Sequence, residues 1–124
     1  MNFEFSDDQL VMKEEVRKLF EKEDSVKRNR NILEGDENFD KDLWNKVVEM
    51  GLTAITIPEE HGGIGLGFLE LCVVAEEMGR AIAPIPYSSS VYLATTAIIN
   101  SSNDDLKKEL SLIHISEPTR HLFI

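Results

Sequence analysis

The densest run of chemically suggestive residues is Pro58-Glu59-Glu60-His61-Gly62-Gly63-Ile64-Gly65-Leu66-Gly67, with four glycines in six positions. Glycine permits positive φ angles and close backbone approach, so such a loop could cradle a phosphate. That chemistry needs more than glycine. A P-loop closes with lysine and serine or threonine, and a dinucleotide fingerprint sits in a strand-turn-helix unit, and neither pattern surrounds this loop. It reads instead as a tight turn ahead of a helix.

The other candidates are weaker. His61 has no cysteine or second histidine at ligand spacing, and Glu59 and Glu60 beside it are adjacent, not opposed across a site, which favours a structural or surface role. Glu76 and Glu77 could suggest acid–base work, but helix neighbours point about 100° apart and cannot converge on one atom. One of them is left for a cap or an ion pair. Cys72 is the single cysteine and lies in the apolar run Leu71-Cys72-Val73-Val74, so a buried structural thiol is expected, compatible with a reducing, cytoplasmic setting. The sequence therefore offers no catalytic residue and no metal site.

The elements that would position these residues are helical. Ser6 with Gln9 three residues on is a capping-box signature, and Met12, Val16, Leu19 and Phe20 then follow helical spacing over about residues 7–24. The charged residues on the other faces of that helix are expected to be solvated. Residues 24–38, polar and carrying Lys27, Arg28 and Arg30, read mostly as a connecting segment. A second helix is expected from Asp40 as N-cap through Leu43, Trp44, Val47 and Val48 to Gly51, which suits a left-handed C-terminal cap; Trp44 is assigned to the core. Leu52 to Ile57, ending against Pro58, reads as an extended, buried connection.

A third helix over about 68–80 presents Phe68, Leu71, Cys72, Ala75 and Met78 as its apolar face. After Pro84 and Pro86, residues 87–100 form a fourth helix without a charge, which is expected to be buried, and Asn103 caps a fifth over 104–110. The class is all-α: an antiparallel bundle of about five helices with a glycine-rich loop.

Composition narrows the function. With 23 acidic and 13 basic residues the formal charge is −10, which repels nucleic acid and anionic membranes. No stretch approaches the ~20 apolar residues of a membrane span, and the N-terminus carries no secretory pattern. At 42% hydrophobic and 29% charged, the chain has the composition of one folded domain.

The last residues form a separate case. Leu110 to Arg120, LSLIHISEPTR, resembles a sequencing adapter translated in frame; His121, Leu122 and Phe123 would follow from an index barcode and Ile124 from the next constant codon. Residues 1–110 are accordingly read as one helical domain and residues 111–124 as an adapter-derived tail, with Leu110 assignable to either. His114 and His121 then have no claim as ligands.

Several fragments, in order, carry a family resemblance: Phe3-Glu4-Phe5-Ser6-Asp7-Asp8-Gln9-Leu10, Leu43-Trp44 ahead of Glu49-Met50-Gly51-Leu52, the Pro58 to Gly65 loop, Ala75-Glu76-Glu77-Met78-Gly79-Arg80, and Asn103-Asp104-Asp105-Leu106-Lys107-Lys108. Together they resemble the N-terminal helical domain of the acyl-CoA dehydrogenases. The resemblance implies a parent enzyme with a middle β-barrel domain and a C-terminal helical domain, binding FAD and an acyl-CoA thioester. In that family a carboxylate of the C-terminal domain takes the α-proton, the β-hydrogen passes as hydride to the flavin, and electron-transfer flavoprotein reoxidises it.

For this chain the resemblance implies helical packing and one wall of the acyl pocket, at Ser88, Val91, Tyr92 and Thr95, and no activity alone. Those hydroxyls could equally bond to their own backbone. Arg80-Ala81-Ile82-Ala83-Pro84-Ile85-Pro86 resembles a branch working as unlike subunit pairs on bulky acyl groups, so a homo- or hetero-oligomer is expected. The alternative is a self-sufficient helical module whose charge-free fourth helix docks into a partner's groove.

Overall fold

The computed structural model describes residues 3–109; the adapter-like tail, residues 111–124, lies outside the described residues. No β-strand occurs among the described residues, and six α-helices and one π-helical segment give the expected all-α class. The chain divides into two compact units, residues 3–40 with 69–84, and residues 41–68 with 85–109.

In the first unit, α1 (Asp7–Lys22) opens with the expected capping box: the Gln9 N–H donates to Ser6 Oγ at 3.3 Å and the Ser6 N–H to Gln9 Oε1 at 2.9 Å. Asp7 and Asp8 in its first turn suit the positive end of the helix dipole. Val16 and Phe20 are its buried residues.

Residues 24–38 do not form mainly a connection, because α2 (Ser25–Glu34) occupies most of them. Its support is polar. Arg28 donates to the Glu23 carbonyl at 2.7 Å, the Glu23 carboxylate at 2.9 Å and the Asp40 carboxylate at 3.1 Å, while Asn29 Nδ2 donates to the Ile82 carbonyl at 2.6 Å. Tertiary hydrogen bonds of this kind replace the apolar stripe that marks a helix in sequence.

The next helix in this unit is α4 (Phe68–Ala81), of which all but Phe68 belongs here. Its buried residues are Leu71, Val73, Val74, Glu77 and Met78. The expected apolar face is therefore rotated: Cys72 is exposed and Phe68 is 63% exposed. Leu71, Val74 and Met78 follow the i, i+3, i+7 stripe, which leaves Phe68 and Cys72, one turn apart, on the outward side.

Glu77 is a carboxylate with a side chain only 2% exposed. Arg17 meets it with two bonds, Nε at 3.1 Å and Nη2 at 2.8 Å, and Lys13 Nζ lies 3.5 Å away. The hydrogen bonds from Arg17 lower its pKa below the ordinary carboxylate value against the opposing effect of burial. Two charges of α1 expected to be solvated are thus part of an ion-pair network. α4 ends with the Ile82 N–H on the Gly79 carbonyl and the Ala83 N–H on the Met78 carbonyl, both 3.2 Å, with Ile82 at φ +49° where glycine is favoured.

In the second unit, α3 (Lys41–Glu49) buries Leu43, Trp44 and Val47, and Gly51 at φ +85° supplies the expected left-handed cap. Leu52–Ala54 then coil into a 3₁₀ turn, where an extended connection was expected. The reversal at Gly51 lets the Ala54 N–H reach the Gly51 carbonyl at 3.1 Å, so the backbone closes on itself. Burial is as expected: Leu52, Thr53, Ile55 and Ile57 are all inside.

The charge-free stretch is helical, but Ser88–Thr95 is a π-helix that passes into α5 (Thr96–Ile99). Thr95 Oγ1 donates to the Ser90 carbonyl at 2.7 Å and Thr96 Oγ1 to the Val91 carbonyl at 3.5 Å, each five residues back, matching the wider coil. Only one face is buried, through Tyr87, Val91 and Thr95, while Leu93 is 69% exposed. Asn103 caps α6 (Asp104–Glu109) by accepting the Leu106 N–H at 3.0 Å.

Candidate functional site

The glycine-rich loop is satisfied by its own backbone. The N–H groups of His61 and Gly63 donate to the Pro58 carbonyl, Gly62 to Glu59, Ile64 to Ala54, Gly65 to Ile57 and Leu66 to Ile55, at 2.8 to 3.1 Å. Gly62 and Gly65 hold φ of +84° and +75°. A Cβ on Gly63 would stand 2.1 Å from the Ile57 carbonyl oxygen. The glycines serve close backbone packing, and from His61 to Leu66 no N–H is left to hold a phosphate. The loop does not fit the pyrophosphate of a flavin or other dinucleotide.

His61 is mostly buried, with Nδ1 unpartnered and Nε2 3.8 Å from a Glu60 oxygen, beyond hydrogen-bonding range. Among the described residues no group of three or more His, Cys, Asp or Glu could hold a metal ion.

Beyond the loop, the second unit holds a cavity of about 130 Å³ lined by Thr56, Leu66, Gly67, Phe68, Thr96, Ile99 and Asn100. Leu66, Phe68 and Ile99 make apolar walls. Thr56 Oγ1 is buried without a partner, and Asn100 Nδ2 is already committed to the Thr96 carbonyl at 2.9 Å. Nothing in the lining ionises in the ordinary pH range, so the cavity can hold an apolar group and offer a hydroxyl, but cannot move a proton.

The four expected pocket residues lie earlier on the same charge-free segment. Ser88 is exposed, whereas Val91 and Thr95 are fully buried, and the Thr95 hydroxyl is spent on the Ser90 carbonyl. Tyr92 is half-buried and stands edge-on to Tyr87, ring centroids 5.3 Å apart. Tyr87 donates its hydroxyl to the Leu52 carbonyl at 2.6 Å, and burial, with Tyr92 adding a smaller effect, raises its pKa well above the ordinary phenol value. In the sequence Phe68 reads as part of an apolar helix face, and Thr56, Leu66, Thr96 and Ile99 carry no pocket signal of their own. Thr96 and Ile99 lie on the charge-free segment, and Leu66 and Phe68 where the loop runs into α4.

The chain matches the family described as "Acyl-CoA dehydrogenase, N-terminal domain" over residues 6–111. It is 33% identical over 107 residues to acyl-CoA dehydrogenase IpdE2 of Mycolicibacterium smegmatis, a match covering 86% of this chain and 34% of that protein. It is 38% identical over 86 residues to mitochondrial isovaleryl-CoA dehydrogenase of Arabidopsis thaliana, covering 68% and 20%. Among solved structures, the ChsE4-ChsE5 complex from Mycobacterium tuberculosis aligns with a TM-score of 0.83 at 26% identity, over 94% of this chain and 32% of that one. The chain belongs to the acyl-CoA dehydrogenase family and corresponds to its N-terminal domain, spanning about a third or less of the length of these relatives.

Proposed function

We propose that residues 1–110 form the N-terminal domain of an FAD-dependent acyl-CoA dehydrogenase, an enzyme that introduces an α,β double bond into an acyl-CoA thioester, and that residues 111–124 are adapter-derived. In this reading the domain contributes helical packing and one wall of the acyl pocket and is inactive alone. The observation that carries it is the family match over residues 6–111.

The wall is the charge-free segment. Tyr92 and Ser88 keep side-chain surface to offer an acyl chain, while Val91 and Thr95 hold the coil that presents them. Thr96, Ile99 and Phe68 extend the wall through the apolar cavity. The flavin belongs to parts of the parent beyond this chain, since the glycine loop does not fit it, and no catalytic residue is assigned here.

Electron-transfer flavoprotein is the proposed acceptor. The parent is assigned to an oligomer of like or unlike subunits, supported by the Arg80 to Pro86 segment and by a solved relative that is itself a two-protein complex. The cytoplasm is its proposed compartment. Separately, no helix among the described residues is long and apolar enough to cross a membrane.

The test joins residues 1–110 to the middle and C-terminal domains of the Mycolicibacterium smegmatis relative and follows acyl-CoA-dependent reduction of a dye. Activity is expected in the chimera, absent from the 124-residue chain, and greatly weakened for acyl-CoA by Ile99→Arg. A flavin-loaded chimera that oxidises no acyl-CoA would overturn the reading, as would a stop codon just past codon 110 of the parent gene.

A further inference from the structure

The first unit holds a larger cavity, about 340 Å³, between the end of α1, the start of α2 and the end of α4. We propose that this cavity is a binding site for a phosphate-class oxyanion, held by the N-terminus of α2, the Ser25 hydroxyl and Arg80. It rests on no part of the acyl-pocket reading.

Two independent features point to a ligand. The first is an uncapped helix start. Asp24 precedes α2 in the left-handed region and its side chain makes no cap, α2 has no acid in its first turn, and the Ser25, Val26 and Lys27 N–H groups have no partner among the described residues. The second is Ser25 itself, 3% exposed, with a buried hydroxyl that also lacks a partner and a place in the cavity wall. A buried hydroxyl left unmet is costly, and an acceptor oxygen in the cavity would relieve it.

The surrounding charges fit an anion once Glu77 is accounted for. Its carboxylate is taken up by Arg17 and Lys13. Arg80 lines the same cavity, is exposed and has no partner among the described residues. Backbone N–H groups, a hydroxyl and a guanidinium approaching from different elements suit an oxyanion with acceptors in several directions. Glu21 and Asp24, both exposed, also line the cavity and oppose the anion, so affinity is modest and salt-dependent.

The test uses the 124-residue chain and follows amide NMR shifts while inorganic phosphate replaces chloride at constant ionic strength and neutral pH. A saturable shift confined to Ser25, Val26, Lys27 and their neighbours is expected. Ser25→Ala removes one hydrogen bond and should weaken binding by roughly three- to tenfold. Arg80→Gln, at an exposed position that leaves the fold intact, should weaken it similarly, and Asp24→Asn should tighten it. A parallel titration with glycerol phosphate separates sources: tighter binding than inorganic phosphate points to an organic phosphate, equal or weaker binding to the free ion, and either, weakened in both variants, supports the site. Non-saturating shifts spread along the chain would overturn the proposal. So would an affinity unchanged from the unsubstituted chain in Ser25→Ala or in Arg80→Gln, or localised binding of magnesium or an amine where phosphate produces none.

Discussion

The two units close their interiors by different means. In residues 3–40 with 69–84, long polar side chains reach across sequence: Arg17 to Glu77, Arg28 to Asp40 and Asn29 to Ile82. In residues 41–68 with 85–109, the chain of N–H bonds from His61 to Leu66 packs backbone on backbone, and the hydroxyls of Tyr87, Thr95 and Thr96 finish on carbonyls. The difference teaches what each unit can tolerate. Charged contacts are reached by adjustable side chains and respond to pH, whereas backbone contacts are steric and respond to a single carbon atom.

The largest effect is expected where sterics are absolute. Gly63→Ala places a Cβ 2.1 Å from the Ile57 carbonyl oxygen, against backbone that cannot rotate away, and should cost about 3 kcal/mol or more. Trp44, the single tryptophan, reports on that unit, so its fluorescence transition in urea should move to lower denaturant. An unchanged midpoint would show that the loop is not held by close backbone fit.

Next comes Arg17→Met, which leaves Glu77 buried with Lys13 alone. Removing one partner of a buried pair is destabilising, but the Arg17 side chain is 37% exposed and solvent screens part of the loss, so a smaller fall in the urea midpoint than for Gly63→Ala is expected. The same variant should alter acid behaviour. Because the folded pKa of Glu77 lies below its unfolded value, its stabilisation is complete above about pH 4.3 and is lost as pH falls through the lower folded value. Helical signal followed against pH should fall more shallowly in that range for the variant, and equal acid slopes would remove the contrast between the units.

The smallest effect has the opposite sign. Ile82→Gly relieves a β-branched residue held at φ +49° while sacrificing little burial, since Ile82 is 57% exposed. A gain of up to about 1 kcal/mol in thermal unfolding is expected. A loss instead would mean that the Ile82 side chain is needed where it stands.

These contrasts also explain what was legible in the sequence. The capping box at Ser6, the left-handed cap at Gly51, the Asn103 cap and the buried Trp44 all depend on neighbours a few positions away, and each was readable. α2 was not, because its fixing bonds come partly from residues 12 and 53 positions distant and its own apolar content is low. The outward turn of Cys72 and the inward turn of Glu77 share a cause: an acid 60 residues from its arginine looks like a surface residue until the two meet. At the candidate pocket the charge-free segment was visible, but the π coil and the contribution of Thr56, Leu66 and Phe68 depend on how the chain folds back.

The π coil at Ser88–Thr95 carries a consequence for how this stretch can change over generations. An i to i−5 spiral is an α-helical path with spare length in it, and here two threonine hydroxyls, on Thr95 and Thr96, reach carbonyls five residues back. Loss of one residue inside it would be taken up by tightening to α geometry, leaving Pro86 before it and Asn103 after it in place. What would shift is the angular setting of Tyr92 relative to Thr96 and Ile99. The segment thus works as a dial between fixed ends, able to re-aim its own side chains while the rest of the domain keeps its sequence.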